Sequence, residues 1–138
     1  KRVDRWRKIA KEAAEQSHRS VVPRIEAVSS WKVLLQKFAE YDLALLCYEE
    51  EGRSGIGLKD ALTAFRRERE PGNPASPSVL VVVGPEGGFA PEEAEAALAA
   101  GAKPVGLGRR ILRTETAALY ALACLAYESG ELGGNNDA

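Results

Sequence analysis

The sequence predicts an α/β domain, a mostly parallel sheet flanked by helices. Two apolar runs carry the prediction, Leu43-Ala44-Leu45-Leu46-Cys47-Tyr48 and Val79-Leu80-Val81-Val82-Val83. Each is short, and the second, a β-branched and Leu run bounded by turn residues, fits a strand buried on both faces, as in a parallel sheet. Segments of helical periodicity lie around them. Glycine-bearing loops follow two apolar stretches: Gly84-Pro85-Glu86-Gly87-Gly88-Phe89 after Val83, and Gly106-Leu107-Gly108 after Val105. Ligands of parallel sheets bind beyond the carboxyl ends of the strands, and glycines there let backbone N–H and C=O groups approach a ligand closely.

In chain order, Asp4 to Gln16 places Trp6, Ile9, Ala10, Ala13 and Ala14 on one helical face. Val21 to Val28 has a short strand pattern, and Ser30 caps a helix through Ala39 that turns Trp31, Leu34, Leu35 and Phe38 inward. Leu43 to Tyr48 is a buried strand, Gly52 to Gly57 a loop, and Leu58 to Arg69 a helix carrying Leu62 and Phe65. Arg66 through Ser78, with three prolines and little apolar content, is a solvated connection. Pro91 with Glu92 and Glu93 behind it is an ordinary helix start. The final helix runs from about Glu115 to Tyr127, with Thr114 as its N-cap. Its Ala117, Ala118, Leu119, Ala121, Leu122, Ala123, Leu125 and Ala126 leave almost no polar face. A helix apolar all round is buried all round, so one side is expected on the sheet and the other on a second subunit, making a homodimer.

Of 138 residues, 45% are hydrophobic and 28% charged, within the range of one compact globular domain. Residues 1–132 are expected to form that domain and 133–138 a flexible tail. No stretch approaches the roughly 18 apolar residues that span a bilayer, and no signal-peptide pattern is seen, so a cytoplasmic protein is expected without a membrane partner. Cys47 and Cys124 are too far apart for a CxxC motif, His18 is the only histidine, and no metal site is expected. The net charge of −1 conceals an asymmetry: residues 1–24 hold eight Lys or Arg against three acids. That basic segment is either a footprint for RNA phosphates or a solvated helix face.

The ligand is constrained by charge. A phosphate cradle presents bare backbone N–H groups at a positive helix end, often with Lys, whereas here Glu86 lies in the loop and Glu92 and Glu93 in the next turn. Neither GxGxxG nor GxxxxGK[ST] occurs. An adenosine ligand with a cationic centre, held by backbone, suits these loops, and S-adenosylmethionine is such a ligand. It is expected between the loops, on the backbone of Gly84, Gly87, Gly88, Leu107, Gly108, Ile111 and Leu112. Pro85, Glu86 and Thr114 belong to the same walls, and Leu46, Tyr48 and Glu49 complete them from the end of the other strand. Val in place of Gly88 is expected to block the pocket with little loss of fold.

The pair GPEGGF and LGRRILRTETA, in that order before a long apolar helix, resembles the RsmE family of ribosomal RNA methyltransferases, in the SPOUT superfamily. A weaker match runs from Glu15-Gln16-Ser17-His18-Arg19 through Val22-Pro23-Arg24-Ile25. The resemblance implies a C-terminal trefoil knot, bound S-adenosyl-L-methionine, a homodimer, and methylation of N3 of a uridine in small-subunit (16S) ribosomal RNA. Family members begin with a small β-barrel domain that is not recognisable before Lys1, so a chain lacking the N-terminal portion is expected. Arg19 resembles the family's arginine in its motif. Arg113 is a cation at a helix N-terminus, where the dipole disfavours it, so a hold on RNA phosphate or uridine is expected of it. The uridine imide must lose its proton, and Glu86 and Glu115 are candidate acceptors. Arg19, Arg113 and Glu115 are therefore the candidate catalytic residues. Two other readings remain: a knotted ribose 2′-O-methyltransferase, against which stands Leu112-Arg113-Thr114-Glu115-Thr116-Ala117 where that branch is expected to carry Ser-Leu-Asn, and a non-catalytic RNA-binding or dimerisation module.

Overall fold

A computed structural model describes residues 1–48, 55–69 and 76–130. Glu49, Gly52 to Ser54, residues 70–75 of the proline-rich connection, and the tail at 133–138 lie outside the described residues. The chain divides into two compact units, Lys1–Leu34 and the remainder from Leu35 onward.

In the first unit, α1 (Arg2–Gln16) forms where the periodicity predicts it. It stops at Ser17, whose hydroxyl donates to the Ala13 carbonyl at 2.8 Å, and His18 turns the chain at φ 58°. The strand expected over Val21 to Val28 does not form. Period-two alternation makes a strand only where a neighbour completes the ladder; here Val21 and Val28 are exposed, and the Arg7 Nε donates to the Ile25 carbonyl at 3.0 Å. Ser30 caps as expected, its Oγ accepting the Val33 N–H at 3.2 Å. The helix it starts, α2 (Trp31–Gln36), is shorter than predicted, and the second unit continues it with a 3₁₀ turn, Phe38–Glu40, which buries Phe38.

The second unit is built on a three-stranded parallel sheet in the order β2-β1-β3, with β1 at Leu43–Cys47, β2 at Val79–Val83 and β3 at Lys103–Val105. Register is set where β1 and β2 begin. The Ser78 N–H donates to Asp42 Oδ2 at 2.8 Å, the Asp42 N–H to Ser78 Oγ at 3.0 Å, and the Leu43 N–H to the Ser78 carbonyl at 3.1 Å. Leu43 therefore faces Val79 and Cys47 faces Val83, which brings the two strands to an end side by side. β1 is central, with Leu45 and Leu46 fully buried. β2 is an edge strand, and only its Val82 is buried, so the expectation of a strand covered on both faces holds for β1 and not for β2. β3 is three residues long and includes Pro104, which an edge strand tolerates because no ladder donor is lost from its open side.

Leu43 and Leu45 join Leu58, Leu62 and Val105 in a core cluster against which Phe65, Cys124 and Leu125 pack. That cluster places α3 (Leu58–Glu68) and α5 (Thr114–Glu128) against the sheet. α4 (Pro91–Ala99) buries Ala94 and Ala97. Arg66 joins α3 to the end of α5, donating to the Glu128 carbonyl at 2.6 Å and pairing with its carboxylate at 3.3 Å.

Candidate cofactor cleft

Because the strands are parallel and in register, their carboxyl ends open on one side. A cleft of about 570 Å³ lies there, floored by Cys47, Tyr48, Val83 and Val105 and walled by both glycine loops. The size is that of a small-molecule site, roughly 300–1,000 Å³.

The first wall is shaped by three local constraints. A Cβ on Gly84 would stand 3.1 to 3.3 Å from the ring of Phe89, so the loop closes tightly only with glycine there. The Gly88 N–H donates to the Pro85 carbonyl at 2.8 Å, and Gly88 takes φ 76° to complete the turn. A Val at 88 therefore strains the backbone by ~1–2 kcal/mol or more, so the blocking substitution carries a local cost in the loop that the sequence does not show. The turn then enters α4, where Pro91 is the first helical residue and the Glu93 carboxylate accepts the Ala90 N–H at 2.8 Å. Ala90 has no side-chain oxygen, so only this half of a capping box exists.

The second wall descends from β3. The Gly106 N–H donates to the Ile56 carbonyl at 2.9 Å, and the Gly106 carbonyl accepts the Leu58 N–H at 3.1 Å, anchoring the loop to the start of α3. Leu107, Gly108, Ile111, Leu112, Arg113, Thr114 and Glu115 then line the cleft. The N-cap of α5 is Arg113, not Thr114: its backbone is extended (φ −63°, ψ 154°) and its carbonyl accepts the Ala117 N–H at 2.8 Å. The Thr114 hydroxyl instead donates to the Gly84 carbonyl at 3.2 Å, across to the other wall.

Of the residues expected at the cofactor, Tyr48, Gly84, Pro85, Glu86, Gly87, Gly88, Leu107, Gly108, Ile111, Leu112 and Thr114 share this cleft. Leu46 does not line it: β1 is packed on both faces, and its side chain is fully buried one residue short of the strand end. Glu49 lies outside the described residues. Arg113 and Glu115 line the cleft and are exposed, while Arg19 belongs to the first unit and is exposed there. Cys47, Phe89 and Arg110 line it too, although the sequence assigns them no firm part. Phe89 is legible as the end of the GPEGGF loop; Cys47 is legible only by its place one residue before Tyr48. Burial pushes the Cys47 thiol up to about 11, so it is neutral at ordinary pH. Among the described residues Arg113 has no carboxylate partner, and no group of three or more His, Cys, Asp or Glu comes together.

The cleft thus offers backbone polar groups, apolar side chains and four charged ones, Glu86, Arg110, Arg113 and Glu115, at the ends of parallel strands. Residues 1–126 match the RNA methyltransferase domain family. The chain belongs to that family. It is 43% identical over 136 residues to Ribosomal RNA small subunit methyltransferase E of Bacillus subtilis, covering 98% of this chain and 50% of that protein. It is 37% identical over 129 residues to the enzyme of the same name in Mycobacterium bovis, covering 91% of this chain and 44% of that one. The crystal structure of a Ribosomal RNA small subunit methyltransferase E from Neisseria gonorrhoeae bound to S-adenosyl methionine superposes with a TM-score of 0.76 at 34% identity, covering 92% of this chain and 48% of that one. The chain spans about half the length of the curated relatives it matches. No helix among the described residues is long and apolar enough to cross a membrane.

Proposed function

We propose that this chain is the cofactor-binding, catalytic part of a cytoplasmic enzyme that methylates N3 of a uridine in small-subunit (16S) ribosomal RNA, with S-adenosyl-L-methionine as donor. Residues 1–132 act as one methyltransferase domain, with a C-terminal trefoil knot in the stretch that contains the second loop and α5. The observation that carries the reading is the convergence of both glycine loops on one cleft at the carboxyl ends of the sheet. The donor set fits: glycine backbone at Gly84, Gly87 and Gly88, apolar cover from Leu107, Ile111 and Leu112, and carboxylates on Glu86 and Glu115 to balance a sulfonium. When bound, S-adenosylmethionine supplies an electrophilic methyl group.

The chain's own residues then prepare the base. N3 of uridine bears a proton whose loss makes the nitrogen nucleophilic. Glu115 or Glu86 accepts that proton directly or through water. Arg113 stabilises the resulting imide anion or holds the flanking phosphate, a role consistent with its lack of a carboxylate partner among the described residues. Since N3 is on the Watson–Crick edge, the nucleotide must be unpaired or flipped to reach the cleft. Arg19 and the basic segment around it bind RNA phosphates.

The protein acts as a homodimer through α5. Support comes from its apolar side chains left in solvent: Leu119 is 69% exposed, Leu122 58% and Tyr127 72%. Exposed apolar surface of this kind marks an association face. Mass spectrometry of 16S RNA from cells lacking the protein tests the reaction: loss of one N3-methyluridine is the expected result. Loss of a ribose 2′-O-methyl group, or no change in modification, would overturn it.

A further inference from the structure

We propose that Thr114 is a positioning residue, a latch whose hydroxyl holds the two cofactor loops at their working separation. The inference rests on the cofactor reading above and goes beyond it, because it assigns the hydroxyl to the protein's own backbone instead of to the ligand. Gly84 and Thr114 are thirty residues apart in sequence, and each opens or closes a different wall of the cleft. The first loop hangs from β2 and the second from β3, strands on opposite edges of the sheet with β1 between them. Backbone pairing fixes the strand ends, but the loops beyond them have no shared ladder. The Thr114 Oγ1 bridges them, donating to the Gly84 carbonyl at 3.2 Å in a half-buried position.

As a donor the hydroxyl has no second partner, and toward a ligand it can only accept. It has a single proton, and that proton is committed to Gly84. Thr114 is also the first residue of α5, and the cap of that helix is the backbone of Arg113, so the hydroxyl is not needed for helix initiation. Gly84 is the residue that cannot carry a Cβ without pressing on Phe89. The latch therefore acts at the residue whose Cα side faces Phe89 most closely.

The test compares Thr114→Val, Thr114→Ala and Thr114→Ser. Calorimetry with S-adenosylmethionine and S-adenosylhomocysteine gives Kd, and turnover at saturating cofactor gives kcat. A half-buried carbonyl left without its donor costs up to about tenfold in cofactor affinity, ~1.4 kcal/mol, while kcat changes by no more than about twofold because the bound geometry is recovered at saturation. Ser restores Kd; Val and Ala agree with each other. A role confined to stability predicts instead a lower Tm with unchanged Kd, and that result overturns the latch, as does a Ser variant as weak as Val. The hydrogen bond is also read without cofactor, from the Gly84 carbonyl ¹³C resonance, which moves upfield in Val and Ala and stays in Ser. An unmoved resonance overturns the latch itself. A moved resonance in a protein that binds neither ligand upholds the latch between the loops and overturns the cofactor reading.

Discussion

Gly84→Ala is the sharpest probe of how the cleft is made. The added methyl carbon would lie 3.1 Å from Phe89 Cε2, 3.2 Å from Cδ2 and 3.3 Å from Cζ. Ordinary carbon contacts lie at about 3.5–4.0 Å, so the ring must retreat by a few tenths of an ångström along one edge. Overpacking of this kind costs ~1–3 kcal/mol. Phe89 is only half-buried, so the ring moves instead of the strand, and the motion carries one wall of the cleft with it. Stability should fall by that amount, and cofactor affinity by the part of it that the bound cleft does not relieve, at most about 5- to 150-fold. Calorimetry on Gly84→Ala, Phe89→Leu and the double variant closes a cycle. Since Leu removes the ring that the new methyl meets, the double variant should bind better than the sum of the single losses, with a coupling above about 0.5 kcal/mol. Strict additivity, or wild-type affinity in Gly84→Ala, would refute the packing argument.

Arg113→Ala should abolish most methylation and leave S-adenosylhomocysteine affinity nearly unchanged, because the cap of α5 is made by the backbone of residue 113; if cofactor affinity falls as steeply as methylation, the side chain belongs to the scaffold. Alanine at Arg113 or Arg19 should also lower the salt slope of RNA binding by roughly 0.7–0.9 for each phosphate that the arginine neutralises. Replacing the exposed Leu119 and Leu122 together by Glu should turn a dimer into a monomer in light scattering at micromolar concentration, and an unchanged dimer would contradict the α5 interface. The Cys47 thiol, raised from 9.0 to about 11, keeps its proton in the folded protein while the unfolded chain loses it, so stability should decline as pH rises from 9 through 11. Alkylation of Cys47 should likewise stay slow at pH 8 and be slower still with cofactor in the cleft; a midpoint below 9 would show that the thiol is not desolvated.

Several elements are legible from the chain alone because local chemistry decides them. Val79 to Val83 is a strand and Pro91 opens a helix in the structure as in the sequence. Ser30 caps through its own side chain, which needs only the N–H three residues on. The membership of the cleft is largely legible too, since glycine-bearing segments after apolar runs mark the carboxyl ends of parallel strands wherever the sheet forms. Where sequence and structure part, a partner at long range is decisive. Val21 to Val28 has the alternation of a strand and no neighbour to pair with among the described residues.

What the sequence determined by itself was therefore the kind of each local element and the two loops that make the cleft, because propensity, capping and turn chemistry act over a few residues. What only the tertiary structure decided was which side chain faces what. Leu46 and Cys47 are adjacent and both apolar, yet the first is fully buried in the packed sheet while the second, the last residue of β1, reaches the cleft floor at the strand end. Thr114 reads as a helix cap, yet its hydroxyl is bound by the carbonyl of Gly84, thirty residues away, which no local pattern could supply. β1 and β2 are both wholly apolar, but strand order makes one the centre of the sheet and the other its edge, and burial follows position in the sheet and not apolar content.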